Sequence, residues 1–123
     1  MTKRLVAGVV ILGVFLLAAC SGGGQNEPTA PTLDPNAPTL TITAKNWEFD
    51  QAEYRVKAGE PVNVVLKNEE GIHGVEIRGQ GIKLDNKNNS TVWTPSKPGT
   101  YEIVCNIQCG LGHANMKSVV IAE

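Results

Sequence analysis

Residues 101–122 read YEIVCNIQCGLGHANMKSVVIA. Two strand-forming runs, Tyr101 to Val104 and Lys117 to Ala122, enclose a segment in which Cys105, Cys109, His113 and Met116 follow one another at intervals of four, four and three. A helix would also align such intervals on one face. Gly110 and Gly112 argue against it, since each glycine costs a helix interior about 1 kcal/mol relative to alanine. The segment is therefore read as an irregular loop between two strands, with four candidate metal ligands on it.

Upstream, the pattern is alternation with a period of two, and no stretch sustains a period of 3.6. Leu40, Ile42 and Ala44 alternate with polar neighbours, Tyr54 and Val56 precede the turn Ala58-Gly59-Glu60-Pro61, and Val62, Val64 and Leu66 follow it. Further short strands are expected at Gly74 to Arg78 and Ser90 to Thr94. The turns Lys57 to Pro61 and Pro95 to Thr100 carry proline to preset φ and glycine to accept positive φ. Seven or so short strands separated by turns predict an all-β Greek-key sandwich over residues 40–123.

The N-terminus has a different character. Lys3 and Arg4 precede an apolar run from Leu5 to Ala19 that ends at Cys20. Such a run makes about 22 Å of helix, short of the ~30 Å hydrocarbon core, so a signal peptide over residues 1–19 is expected in preference to a permanent span. The small residues before Cys20 resemble the lipobox of bacterial lipoproteins, which implies that Cys20 is lipidated and holds the protein at the extracytoplasmic face of the cell membrane. Residues 20–39, rich in proline and glycine and poor in apolar side chains, are expected to form a flexible linker. Loss of Lys3 and Arg4 would take two from the eleven basic residues against twelve acidic ones, leaving a modestly acidic domain. No basic run suggests nucleic acid, and no glycine-rich loop before a helix suggests phosphate. Asn88-Asn89-Ser90 fits a glycosylation pattern but is read as an exposed turn.

The chain has three cysteines, two histidines and two methionines. Setting aside Cys20 and Met1, all but His73 lie between Cys105 and Met116. If His73 points toward that loop, every remaining imidazole and soft sulfur meets in one site. Two thiolates, two imidazoles and a thioether are a soft set, and methionine in particular favours copper over zinc. Other uses compete for these residues. A disulfide between Cys105 and Cys109 would close a short loop and leave the histidines and Met116 idle. A zinc site of two cysteines and two histidines is chemically sound but has no use for Met116. Met116 could be core filler, and His73 an ordinary buried histidine. A single blue copper needs only one cysteine with two histidines and a weak axial ligand, so the second cysteine is the discriminating residue.

The pattern C-x-x-x-C-x-x-x-H-x-x-M at Cys105, Cys109, His113 and Met116, with Ile72-His73-Gly74-Val75 upstream, resembles the purple-copper (CuA) domain of cytochrome c oxidase subunit II, shared in part with nitrous oxide reductase. Residues 44–49 look like that family's first strand, 58–62 like its turn, and 98–101 like its approach to the cluster. The resemblance implies a cupredoxin-like sandwich with two copper ions bridged by Cys105 and Cys109. It further implies that His73 and Met116 complete one copper, and His113 and the carbonyl of Ile107 the other. Many family members carry glutamate at position 107 and use it toward a second metal facing the catalytic subunit; the side chain of Ile107 cannot coordinate. A free-standing, lipid-anchored relative is therefore expected. The implied partners are a c-type cytochrome or similar electron donor, and an oxidase catalytic subunit as a candidate acceptor. A copper chaperone delivering Cu(I) for oxidase assembly is the alternative, and a thiol-disulfide exchanger would need only the two cysteines. No independent catalytic group is evident. Trp47, Trp93 and Tyr101 are candidates either for an electron path or for the core.

Overall fold

The computed structural model describes residues 32–123. The expected signal peptide, Cys20 and most of the expected linker lie outside that range. Among the described residues no helix is long and apolar enough to cross a membrane.

Among the described residues nine strands form two sheets. They are β1 (Thr39–Lys45), β2 (Glu48–Phe49), β3 (Glu53–Val56), β4 (Val62–Asn68), β5 (Val75–Ile77), β6 (Ile82–Leu84), β7 (Ser90–Trp93), β8 (Gly99–Val104) and β9 (Lys117–Ala122). One sheet has the order β2-β1-β4-β7, the other β3-β9-β8-β5-β6. The pairs β1·β4 and β3·β9 are parallel and the remaining pairs antiparallel. The expected all-β sandwich is observed. Strands β2 and β6, of two and three residues, are additional to those expected, because segments so short show no periodicity.

Alternation decides which faces meet. Ile42 and Ala44 of β1, Val62, Val64 and Leu66 of β4, and Trp93 of β7 point inward from the first sheet. Tyr54, Val75, Ile77, Leu84, Ile103 and Val120 meet them from the second, all nearly inaccessible to water. The Tyr54 hydroxyl donates to the Asp50 carboxylate. Burial, that hydrogen bond and the nearby negative charge hold the phenol well above its ordinary pKa, so it stays neutral.

The strand directions place the site. Because β1 and β4 run parallel, Lys45 and Asn68 end at the same pole of the sandwich. Val104 at the end of β8 pairs with Lys117 at the start of β9, so the connection 105–116 leaves and re-enters there too.

The chain is tied down earlier than the Leu40 boundary read from composition. Asn63, a buried polar residue in β4, accepts from the Asp34 amide (2.9 Å) and donates to the carbonyls of Asp34 (2.7 Å) and Ala37 (3.3 Å). Its own amide donates to Pro38. Composition marks 34–38 as linker because these residues have little to bury; they are held by hydrogen bonds instead. Replacing Asn63 with Ala removes the three side-chain bonds and is expected to cost about 1–3 kcal/mol in denaturant unfolding, with loss of amide-exchange protection at Asp34 and Ala37.

Candidate metal centre

His73 comes from the connection between β4 and β5 and is wholly buried. Asn68, the last residue of β4, clamps its main chain: the His73 amide donates to Asn68 Oδ1 (3.0 Å), and Asn68 Nδ2 donates to the His73 carbonyl (3.2 Å). The ring is fixed separately. Nε2 lies 2.8 Å from the Glu70 carbonyl and 3.1 Å from Asn46 Oδ1. Both are acceptors, so Nε2 carries the hydrogen and Nδ1 keeps its lone pair. Nδ1 is buried with no protein partner. A buried acceptor without a donor is costly, and this one faces the thiols.

The other ligands come from the loop after β8. The Cys105 amide donates to the Met116 carbonyl (3.2 Å), closing the loop at its base. Between them the chain is irregular apart from one 3-10 turn, His113–Asn115. Cys105 and Cys109 are free thiols with sulfurs 3.5 Å apart. Cys105 Sγ lies 3.2 Å from the Ile107 carbonyl oxygen. Cys109 Sγ lies 3.5 Å from His113 Nδ1 and 3.8 Å from the sulfur of the buried Met116. Ligand atoms of His73, Cys105 and Cys109 are all within 4.8 Å of one another. Gly74 permits this closeness, since a Cβ there would fall 1.9 Å from Asn106 Oδ1 and within 3 Å of the Ile107 side chain.

All six residues expected at a metal site thus gather at one pole. The donor set fits copper: two soft sulfurs, two imidazoles, a buried thioether, and an imidazole lone pair with nothing else to bind. Burial, the hydrogen bond with Cys105 and repulsion from a second thiolate push Cys109 up to about 11. A bound cation would reverse that penalty, because it supplies the positive charge that two adjacent thiolates lack.

Three supporting residues were not identifiable as such from the sequence. Asn46 and Asn68 hold His73, and Trp47 donates its indole N–H to the Cys109 carbonyl (3.0 Å). An asparagine carries no local mark of such a role. Of the three aromatics considered for an electron path, Trp47 is the one bonded to the loop. Trp93 and Tyr101 pack edge to face, centroids 5.6 Å apart, as part of the core and its margin. The exposed large hydrophobic residues Trp47, Ile72 and Leu111 lie on or beside the ligand-bearing segments, and residues 105–116 contain no Asp, Glu, Lys or Arg.

A family model described as a cupredoxin-like domain matches residues 8–122. The chain belongs to the cupredoxin-like domain family. This cupredoxin-like chain is 27% identical over 92 residues to cytochrome c oxidase subunit 2 of Thermus thermophilus, covering 72% of the chain and 68% of that protein. Against the subunit 2 of a named strain of the same organism, the identity is the same but only 55% of the relative is covered. A chain of a heme-copper terminal oxidase dimer superposes with a TM-score of 0.62 at 25% identity, covering 80% of this chain and 74% of that one. The periplasmic domain of cytochrome oxidase subunit II from Bradyrhizobium japonicum gives a TM-score of 0.65 at 20% identity, with 76% and 87% covered, a likeness of fold. This is a copper-binding fold, similar to the copper domain of oxidase subunit II, with the His-Cys-Cys ligands in place.

In the reduced, metal-free protein the thiolate fraction of Cys109 at pH 8 should be roughly a hundredfold below that of an ordinary cysteine. Alkylation followed by mass spectrometry should rise through about pH 11; a plateau below pH 9 would contradict the geometry.

Proposed function

We propose that this protein is a single-electron carrier with a binuclear CuA-type centre. The observation that carries the reading is the pair of thiols 3.5 Å apart, flanked by the free Nδ1 of His73 and by Nδ1 of His113. In this reading Cys105 and Cys109 would bridge two copper ions, with His73 and Met116 holding one, and His113 and the Ile107 carbonyl the other. Bound copper would supply one-electron exchange shared over both ions. The protein's part is to hold six donors on a sandwich rigid enough to change little between oxidation states, and to keep solvent away from Cys105, His73 and Met116.

The exposed apolar side chains of Trp47, Ile72 and Leu111 suit a brief encounter with a donor such as a c-type cytochrome, since desolvating them costs little. The similarity to oxidase subunit 2 supports a terminal oxidase as the destination of the electron. Ile107 lacks the carboxylate for a further metal at such a contact, which favours a free-standing carrier. Cys20 would tether it by lipid at the outer face of the cell membrane.

The test is to load the chain from Ser21 onward with copper and record metal content with optical and electron-spin-resonance spectra. Two coppers per chain and one unpaired electron coupled equally to two copper nuclei are expected, and Cys105→Ser and Cys109→Ser should each abolish that signal. Coupling to a single nucleus would mean a mononuclear centre. A colourless Cu(I) form that cannot be cycled, and that passes its metal to apo-oxidase, would mean a copper chaperone.

A further inference from the structure

Two neighbouring residues in the turn between β1 and β2 reach two different parts of the metal site. Asn46 Oδ1 lies 3.1 Å from His73 Nε2, on the far side of the ring from the thiols. Trp47, next in the chain, donates its indole N–H to the carbonyl of Cys109 at 3.0 Å. His73 belongs to the connection after β4, which crosses from one sheet to the other, and Cys109 to the one after β8, which stays within the second sheet. The turn is therefore hydrogen-bonded to both ligand-bearing segments at once.

Glycines make room for both contacts. Gly71 has φ of 74°, and a Cβ on it would fall 2.4 Å from Asn46 Oδ1. A Cβ on Gly110, whose φ is 126°, would fall 2.8 Å from the Trp47 indole nitrogen. One on Gly112 would fall 2.3 Å from Trp47 Cβ. A side chain at any of these positions would displace one end of the turn. Gly110 and Gly112 thus have a second use besides interrupting a helix: they form the floor on which Trp47 lies.

We propose that Asn46 and Trp47 act together as a clip that positions the metal ligands, Asn46 holding His73 with Nδ1 turned to the thiols and Trp47 holding Cys109 at its carbonyl. They are positioning residues, since neither offers an atom to the metal. Asn46 adds a second acceptor to the Nε2–H already bonded to the Glu70 carbonyl, so the ring resists rotation as well as change of tautomer. Removal of such outer partners typically weakens metal binding tenfold to a hundredfold. The consequence for copper rests on the reading of His73 and Cys109 as ligands; the state of the His73 ring does not, and can be observed without metal.

The experiment compares Asn46→Leu, Asn46→Asp, Trp47→Phe and the Leu/Phe double variant with the parent protein, all reduced. In the copper-free form, nitrogen NMR of His73 reports the tautomer and the exchange of Nε2–H with water; in the loaded form, competition with a Cu(I) chelator reports affinity. Asn46→Leu should speed exchange of Nε2–H by about tenfold and weaken copper binding by about tenfold or more. Asn46→Asp, which keeps an acceptor oxygen, should restore most of both. Trp47→Phe keeps a ring over Gly110 and Gly112 but loses the N–H, and should weaken copper binding in the same range. The double variant should lose less than the product of the single losses, as expected for residues acting in one unit.

Unchanged exchange and affinity in both single variants would overturn the proposal, as would equal losses in Asn46→Leu and Asn46→Asp. Strictly multiplicative losses would show two independent props and overturn the clip. Should the leucine variant not fold, Asn46→Ser, too short to reach Nε2, carries the same comparison with Asn46→Asp. If the protein held a single copper, or zinc, the copper-free exchange result would stand unaltered, which separates failure of the clip from failure of the functional reading.

Discussion

Two sulfurs 3.5 Å apart cannot both be negative at small cost. At an effective dielectric constant near 20, two unit charges at that distance repel by about 5 kcal/mol. Everything else at this pole is arranged around that constraint. Without metal Cys109 is held protonated, pushed up to about 11 by burial and by its neighbour. A metal cation turns the same closeness into the strongest feature of the site. The surrounding groups suit a cation in place: Nδ1 of His73 presents a lone pair and no hydrogen, the Ile107 carbonyl faces Cys105, and no lysine or arginine lies within 105–116.

The sandwich makes that crowding affordable in conformational terms. Ladder hydrogen bonds fix Val104 opposite Lys117, and the Cys105–Met116 main-chain bond extends the same register by one step. Cys105 and Met116 are thus placed by the sheet itself and buried with its core. His73 is placed by Asn68 at the end of β4, an inner strand of the other sheet. Cys109 and His113 lie farthest from any strand and depend most on loop contacts, Trp47 among them. Rigidity at the site therefore falls from the loop base to its tip.

How much of this could be read from the chain depends on how local each cause is. Cys105, Cys109, His113 and Met116 stand out because one segment carries them, and His73 because it is the other histidine in the chain. Ile107 came only through the family resemblance, since a main-chain oxygen leaves no trace in residue identity. The longer strands were legible by alternation, whereas β2 and β6 were too short to show it. Asn46, Asn63 and Asn68 were not legible at all: an amide's role is decided by which distant backbone it meets. Residues 34–38 looked like tether for the same reason, their partner lying almost thirty positions away in Asn63.

The parallel pairing of β1 with β4 and of β3 with β9 also orients the molecule as a whole. β1 begins and β9 ends at the pole opposite the cluster, where the Glu123 amide donates to the Val56 carbonyl. Both ends of the described domain therefore leave from the same side, and the cluster occupies the other. Any attachment made through either end, whether to a lipid, a neighbouring domain or an electrode, acts as a handle that turns the metal outward. Which pole carries the chain ends and which the cluster is in this way a property of strand direction, settled before any partner is met.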